Sequence, residues 1–379
     1  MLHVLLTASV AFIITFFAIP AIITVAEQKK LFDIPDARKL HSKPIASLGG
    51  IGIFSGFFLA SLLGISVKAF PEFQYFFAAA TIIFFIGIND DMVALTAMRK
   101  IIGQVLAAAI LIHLGDIRIS SMHGLFGLED MPESVSLAFS YMTIIVVINA
   151  FNLIDGIDGL AGTLGMLTTS VFGAYFFLAD MPGYAVMSFA MAGSLLAFLI
   201  FNYNPAKIFM GDTGSLLLGL INAILVIKFI TVADSTHVIL PMESAVAVGF
   251  SILMVPLADT VRVFSIRIFR GRSPFSPDRH HFHHLLLDRG LNHKHITLCC
   301  LLINMAFIAL AYFGRSMGPT YTLLMLFAVA SAILAALSMV KKQVPKVVRE
   351  EIPVPQPHAL PLQTKVVSIS QEKALAENE

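Results

Sequence analysis

Long apolar runs separated by short polar connections recur along most of the chain. A helix needs roughly 20 mostly apolar residues to cross a bilayer. Eleven segments approach that length: 2–26, 45–67, 73–88, 101–115, 134–149, 160–179, 184–202, 213–233, 238–264, 295–314 and 318–340. The pattern therefore predicts an all-α polytopic membrane protein with about 11 transmembrane helices.

The composition agrees with a chain whose solvent is lipid. Hydrophobic residues make up 57% and charged residues 13% of the 379 residues, and the mean hydropathy is +0.85. Soluble domains average about 45–50% apolar and about 25% charged residues. A net charge of +1 gives no basic surplus, so no nucleic-acid partner is expected. The only two cysteines, Cys299 and Cys300, are adjacent and imply no disulfide framework.

Positive charge predicts the orientation of these helices, because cytoplasmic loops carry the excess of Lys and Arg. The connections after the first, third, seventh and ninth segments are the basic ones. Their basic residues include Lys29, Lys30, Arg38, Lys39, Lys43, Arg99, Lys100, Lys207, Arg267, Arg270, Arg272, Arg279, Arg289 and Lys294. The N-terminus is therefore predicted outside and the C-terminus in the cytoplasm.

The C-terminal residues differ in character from the rest of the chain. From Lys341 to Glu379 the sequence has scattered Pro, Lys, Glu and Gln and no sustained apolar period. Such a composition buries too little surface to offset the entropy of ordering. Residues 1–340 are therefore predicted to form the integral membrane domain, and 341–379 a disordered cytoplasmic tail.

The acids and histidines that could take part in catalysis or binding fall into four clusters, all on the predicted cytoplasmic side. The clusters are Asp90–Asp91, Asp155 with Asp158, Asp212, and His280, His281, His283 and His284. Adjacent carboxylates stay ionised only beside a cation, and Mg²⁺ typically takes one or two carboxylates plus phosphate and water. Asp90, Asp91 and Asp212 are therefore candidate metal ligands. A solvated helix end is the alternative for the adjacent pair.

Asp155 and Asp158 would share one face of a helical turn, and Gly156, Gly159 and Gly162 leave the backbone there open to a ligand. Their alternative is an acidic first turn that complements the dipole of the next helix. The amides of Asn149, Asn152 and Asn204 lie at segment ends and need partners, either as caps or in recognition of a base or sugar.

The connection after the ninth segment is the most basic one and holds four histidines in five residues. Its arginines suit the binding of phosphate oxygens. The histidines allow zinc binding, a purely structural role, or hydrogen bonding and acid/base work at a phosphate. The last interpretation is favoured, because no Cys or Glu ligand accompanies the histidines.

Five ordered motifs give these clusters a family resemblance over about residues 30–290. They are LGGIGIF, NDDMVAL, NAFNLIDGIDGLAG, NPAKIFMGDTGSLLLG and SPFSPDRHHFHHLL. The set resembles the polyprenyl-phosphate N-acetylhexosamine-1-phosphate transferases, glycosyltransferase family 4. The last motif is similar to the corresponding motif of the family branch that makes undecaprenyl-pyrophosphoryl-N-acetylglucosamine. Two departures are the apolar residues 92–95, which supply no third acid, and the additional His280.

The resemblance implies a Mg²⁺-dependent enzyme, with Mn²⁺ as a substitute, at the cytoplasmic face of the bacterial inner membrane. It would transfer N-acetylglucosamine-1-phosphate from UDP-N-acetylglucosamine to undecaprenyl phosphate and release UMP. That product would begin a cell-surface polysaccharide of the O antigen or enterobacterial common antigen type. One alternative is the same transfer from another UDP-N-acetylhexosamine donor, and the other is that the protein is a membrane transporter. Direct attack of the lipid phosphate is favoured over an aspartyl intermediate.

The resemblance also implies roles for individual residues. Catalytic roles fall to Asp90, Asp91, Asp155, Asp158 and His281; substrate binding to Lys43, Lys100, Asn152, Asn204, Phe209, Arg279, His283 and His284; and metal binding to Asp90, Asp91 and Asp212.

Overall fold

The computed structural model describes residues 2–31, 45–233, 239, 241–271 and 281–339, and these residues are mostly helical. The helices are α1 (Leu2–Lys29), α2 (Gly49–Gly64), α3 (Phe73–Val93), α4 (Ala97–His113), α5 (Glu133–Ile154), α6 (Leu160–Leu178), α7 (Pro182–Asn202), α8 (Gly211–Ala233), α9 (Ala245–Ile252), α10 (Met254–Phe269), α11 (Phe282–Leu287), α12 (His293–Gly314) and α13 (Pro319–Met339). An antiparallel hairpin of β1 (Ser121–Leu125) and β2 (Leu128–Asp130) joins α4 to α5.

Each predicted apolar segment coincides with one helix, except that 238–264 contains two, α9 and α10. Within the described residues, eight helices are long and apolar enough to cross a membrane, or nine if α9 and α10 form one broken span. Helix α2 is apolar but has only 16 residues. The chain is therefore a multi-pass membrane protein, while the count of 11 and the orientation stay predictions. The hairpin and α11 were not predicted, and the tail lies outside the described residues.

Helix α8 is the centre of the bundle. In its most apolar stretch 83% of the residues are buried, against 17% for α1 and for α13. A helix that is apolar all round is stable when other helices surround it, and α8 packs against α2, α3, α5, α6 and α9. The exposed apolar side chains of α1 and α13, such as Phe17 and Phe327, are suited to contact lipid.

Glycines let α2 and α3 approach the first turn of α8. A Cβ atom on Gly50 would lie 2.1 Å from the backbone nitrogen of Gly214, and one on Gly87 would lie 2.4 Å from Cα of Thr213. Backbone hydrogen bonds from Gly49 to Phe209 and from Gly50 to Met210 complete this contact. The N-terminus of α2, the C-terminal turns of α3 and the N-terminus of α8 therefore meet at one end of the bundle.

Helices α9 and α10 meet at an angle of 84°, and the break lies at Leu253. Asn304 of α12, which is fully buried, satisfies two backbone groups there. Its Oδ1 accepts from the Val255 N–H at 3.0 Å, and its Nδ2 donates to the Ile252 carbonyl at 2.9 Å. Backbone groups inside a membrane protein need such partners, since lipid offers none. Pro256 has no N–H and is tolerated in the first turn of α10.

We expect Asn304→Leu to destabilise the protein, because it leaves both backbone groups of the break unpaired. Each buried unpaired group costs about 1–3 kcal/mol, so the melting temperature in detergent should fall clearly. Asn222→Leu is the matched control, because the Asn222 amide donates only to the Leu218 carbonyl of its own helix and its Oδ1 has no partner. Equal melting temperatures for the two variants would contradict this account of the break.

Candidate active site

Lys100 joins two carboxylates from different helices. Its Nζ lies 2.6 Å from Oδ2 of Asp90, near the end of α3, and 2.6 Å from Oδ2 of Asp212, the second residue of α8. The lysine itself lies in the first turn of α4. Two carboxylates that would repel one another therefore share one cation. The structure brings these three predicted residues into direct contact.

Asp91 caps the N-terminus of α8. Its Oδ1 accepts from the Asp212 N–H at 2.7 Å, and its Oδ2 accepts from the Thr213 N–H at 3.0 Å and from the Thr213 hydroxyl at 2.5 Å. The first N–H groups of a helix have no partners within the helix, and the helix dipole favours a negative charge at that end. Gly211, with φ +69°, gives the carboxylate room, since a Cβ there would lie 2.6 Å from an Asp91 oxygen. Asp91 thus fixes the position of Asp212.

Asn152, in the last turn of α5, orients Asp212 from the other side. Its Nδ2 donates to Oδ1 of Asp212 at 2.9 Å and to Oγ of Ser215 at 3.0 Å. Asn149, one turn earlier, donates to Oε1 of Gln104 at 2.8 Å. The two amides therefore have side-chain partners at the helix boundary, and Asn152 contacts the acidic cluster directly.

Asp155 and Asp158 lie in a turn between α5 and α6 and not on a common helical turn. Gly159, with φ +78°, directly precedes α6, and its left-handed conformation separates α6 from the end of α5. Among the described residues, the Asp155 carboxylate has no hydrogen-bond partner. Burial, together with the negative charges of Asp212, Asp91 and Asp158, raises the pKa of Asp155 to about 8. Asp155 therefore lies in surroundings that are both buried and strongly negative.

Asp158 is a structural junction. Its Oδ2 accepts from Nδ2 of Asn204 at 2.7 Å and from the Ala206 N–H at 3.1 Å, and its Oδ1 lies 3.4 Å from Nδ1 of His293 in α12. Burial opposes its ionisation, but the hydrogen bonds from His293, Asn204 and Ala206 outweigh burial and hold the pKa of Asp158 below its usual value. Asp158 thus joins the turn before α6 to the 203–208 loop and to α12.

The loop between α7 and α8 is held by its backbone as well. Phe209 donates its N–H to the Ala46 carbonyl at 2.8 Å and accepts from the Gly49 N–H at 2.9 Å. Asn202, which was not predicted as a site residue, accepts from the Gly159 N–H at 2.9 Å and donates to the Ile208 carbonyl at 2.8 Å. Asn204 and Phe209 therefore lie on a loop that contacts the turn between α5 and α6 and leads into the acidic start of α8.

The carboxylates around the Lys100 ammonium group, the cation position of this site, suit a hard metal ion. Within the described part of the chain, no group of three or more Asp, Glu, His or Cys side chains forms a complete metal site. The Oδ2 atoms of Asp90 and Asp212 nevertheless converge on one point, now held by Lys100. Mg²⁺ is commonly bound by one or two carboxylates plus substrate phosphates and water. The donor set and its negative surroundings fit an ion that completes its shell from the substrate.

Of the histidine cluster, the structure describes His281 and His284. His281, directly before α11, is buried, and its Nδ1 lies 3.0 Å from Oδ2 of Asp259 in α10. His284 is half-buried in α11. The predictions for Lys43 and Arg279 lie outside the described residues, as does the side chain of His283.

Two contacts were not predicted from the sequence, the one between Asp259 and His281 and the one between His293 and Asp158. An acid within an apolar segment is a known signal of function, so Asp259 could have been assigned to the site. Nothing in the sequence around His293 distinguishes it from an ordinary residue at a helix start.

Comparison with known proteins identifies the family of the chain. The model of glycosyl transferase family 4 matches residues 73–230, which hold the acids from Asp90 to Asp212. The decaprenyl-phosphate N-acetylglucosaminephosphotransferase of Mycobacterium leprae is 31% identical over 313 residues, covering 76% of this chain and 78% of the relative. The undecaprenyl-phosphate alpha-N-acetylglucosaminyl 1-phosphate transferase of Escherichia coli O157:H7 is 31% identical over 318 residues, covering 81% and 83%. The chain therefore belongs to glycosyl transferase family 4 and is a multi-pass membrane enzyme of that family.

Proposed function

We propose that the enzyme transfers N-acetylglucosamine-1-phosphate from UDP-N-acetylglucosamine to undecaprenyl phosphate and releases UMP. The observation that carries the proposal is the convergence of Asp90 and Asp212 on one cation position at the N-terminus of α8. The names of the relatives support the sugar phosphate and the polyprenyl acceptor. The pathway that uses the product is proposed to be the synthesis of a cell-surface polysaccharide.

The chemistry requires little covalent participation by the protein. An oxygen of the lipid phosphate attacks the β-phosphorus of the nucleotide sugar, and the bond from that phosphorus to the UMP oxygen breaks. Positioning and charge neutralisation account for most of the catalysis of such transfers. A direct attack fits a site whose acids Asp91 and Asp158 are committed to hydrogen bonds that hold the fold.

The residues of the cluster have different roles in the proposed reaction. Asp90 and Asp212 would hold Mg²⁺, or Mn²⁺ in its place, and the bound ion would neutralise charge on the diphosphate. Lys100 places a positive charge beside the same oxygens and would contact a substrate phosphate when the ion takes its place between the two carboxylates. Asp155, with no hydrogen-bond partner in the described part of the chain, is the carboxylate that faces substrate in this proposal. Asn152 keeps Asp212 in its orientation.

The location follows from the charge pattern. The acidic cluster lies at the bundle end where Lys100 is in the first turn of α4 and Lys207 precedes α8. The excess of Lys and Arg at this end favours the cytoplasmic side of a bacterial inner membrane, where a soluble nucleotide sugar is available. A transporter is less well supported, because the acids from Asp90 to Asp212 lie at helix ends or in a turn and the family is one of transferases.

UMP release tests the proposed reaction. The purified enzyme with Mg²⁺ and undecaprenyl phosphate should release UMP fastest from UDP-N-acetylglucosamine among a panel of UDP-sugars. Omitting the lipid phosphate is the control and should abolish release, since direct attack needs the acceptor. No UMP from any donor would contradict the reaction, and a faster donor would correct only the sugar.

The two acids at the cation position should be needed for turnover but not for folding. We expect Asp90→Asn and Asp212→Asn to lower kcat by at least about a hundredfold, as loss of a main electrostatic group does, with little change in melting temperature. Asp116→Asn, whose carboxylate is 89% exposed at the other end of the bundle, is the control. Near-normal rates for Asp212→Asn would remove its metal role.

Asp91 should behave differently, because its carboxylate caps α8. Asp91→Ala leaves the N–H groups of Asp212 and Thr213 without this acceptor, at a cost of about 1–3 kcal/mol. We therefore expect a lower melting temperature together with lower kcat. An unchanged melting temperature beside a large loss of kcat would show that Asp91 acts directly in catalysis instead.

A further inference from the structure

Asp259 is a buried carboxylate within α10 that three donors surround. Its side chain is 2% exposed. Oδ1 accepts from the Phe282 N–H at 2.7 Å and from Nη2 of Arg262 at 3.0 Å, while Oδ2 lies 3.0 Å from Nδ1 of His281. A charge so deeply buried is costly unless such partners surround it. Two of the three come from residues more than 20 positions further along the chain.

This geometry determines how the His281 ring is held. A carboxylate only accepts hydrogen bonds, so Nδ1 of His281 carries the hydrogen that points at Asp259. The neighbouring backbone bond from Phe282 to the same carboxylate holds the ring and the start of α11 together. The ring is therefore anchored to Asp259 through Nδ1.

The anchored ring belongs to the same side of the bundle as the acids. Helix α10 packs against α5, which ends beside Asp155, and α11 packs against α12. At its start α12 carries His293 and Thr297, and both contact Asp158. Two separate elements, α10 and α12, thus connect the Asp259–His281 pair to the acidic turn before α6.

We propose that Asp259 is a positioning residue for His281 in the transfer reaction. The inference rests on the proposed function and adds to it that His281, for which the resemblance implies a catalytic role, contacts the diphosphate of the nucleotide sugar. Asp259 keeps Nδ1–H directed at its own carboxylate and so fixes the orientation of the imidazole at the diphosphate, where negative charge develops. The alternative is that Asp259 only ties α10 to α11.

Substitution of Asp259 by Asn separates the two roles. The amide keeps the size of the side chain but removes the charged acceptor that holds Nδ1–H of His281. We expect kcat for UMP release to fall about 10–100-fold, the usual effect of losing a residue that orients a functional histidine. KM for the nucleotide sugar should change much less, because the lost orientation acts mainly on charge that develops in the transition state. Asp259→Glu retains a carboxylate and should recover part of kcat.

A double-mutant cycle with His281→Ala decides the question. If Asp259 acts through His281, Asp259→Asn should cause no further loss in the His281→Ala enzyme. If Asp259 only holds the fold, the two losses should multiply and Asp259→Asn should lower the melting temperature in both backgrounds. Multiplying losses, or an Asp259→Asn enzyme with normal kcat, would overturn the inference.

The remaining outcomes keep this inference distinct from the proposed function. An active enzyme whose rate is unaffected by His281→Ala would overturn the role of both residues but leave the transfer reaction intact. A wild-type enzyme that releases no UMP from any UDP-sugar would contradict the reaction itself. Should Asp259→Asn yield no folded enzyme, the same cycle is run with Asp259→Glu. Asp116→Asn serves throughout as the control for exchanging a carboxylate for an amide.

Discussion

The contact between Asp91 and the start of α8 is the interaction on which the site depends. The free N–H groups at that end need an acceptor, and lipid supplies none. Asp91 meets this need from α3, and Gly87 lets the two backbones approach closely enough for it to reach. Once α3 is fixed in this way, the adjacent Asp90 lies where Lys100 can join it to Asp212. The helix cap and the cation position are thus consequences of one packing arrangement.

The same arrangement concentrates negative charge. Asp90 and Asp212 share Lys100, and the negative charges of Asp212, Asp91 and Asp158 act on the nearby Asp155. Burial and these negative charges together raise the pKa of Asp155. A site of this kind binds a divalent cation readily, and the cation in turn offsets the charge of a diphosphate. This concentration of negative charge is therefore what suits this end of the bundle to phosphoryl chemistry.

Much of the fold could be predicted from the sequence, because each bilayer crossing requires a long apolar run. The break at Leu253 could not, because segment 238–264 is apolar on both sides of it and Asn304, which satisfies it, lies about 50 residues away. The site was predicted at the level of clusters, since acids in a membrane chain are few. The division of roles between Asp90 and Asp91 was not predictable, because neighbouring residues on a helix point in different directions and only packing decides what each one meets.

The acids then fall into two groups according to what they accept. Asp91, Asp158 and Asp259 each take a backbone N–H from a distant segment, 121, 48 and 23 residues away respectively. A charged acceptor forms stronger hydrogen bonds than an amide would, so each acid can hold two segments together at the end of a bundle. Because these three are committed to the fold, the carboxylates of Asp90, Asp155 and Asp212 remain for cations and substrate. His281 then links the two groups, since one of the fold-holding acids orients a side chain proposed to act on the substrate.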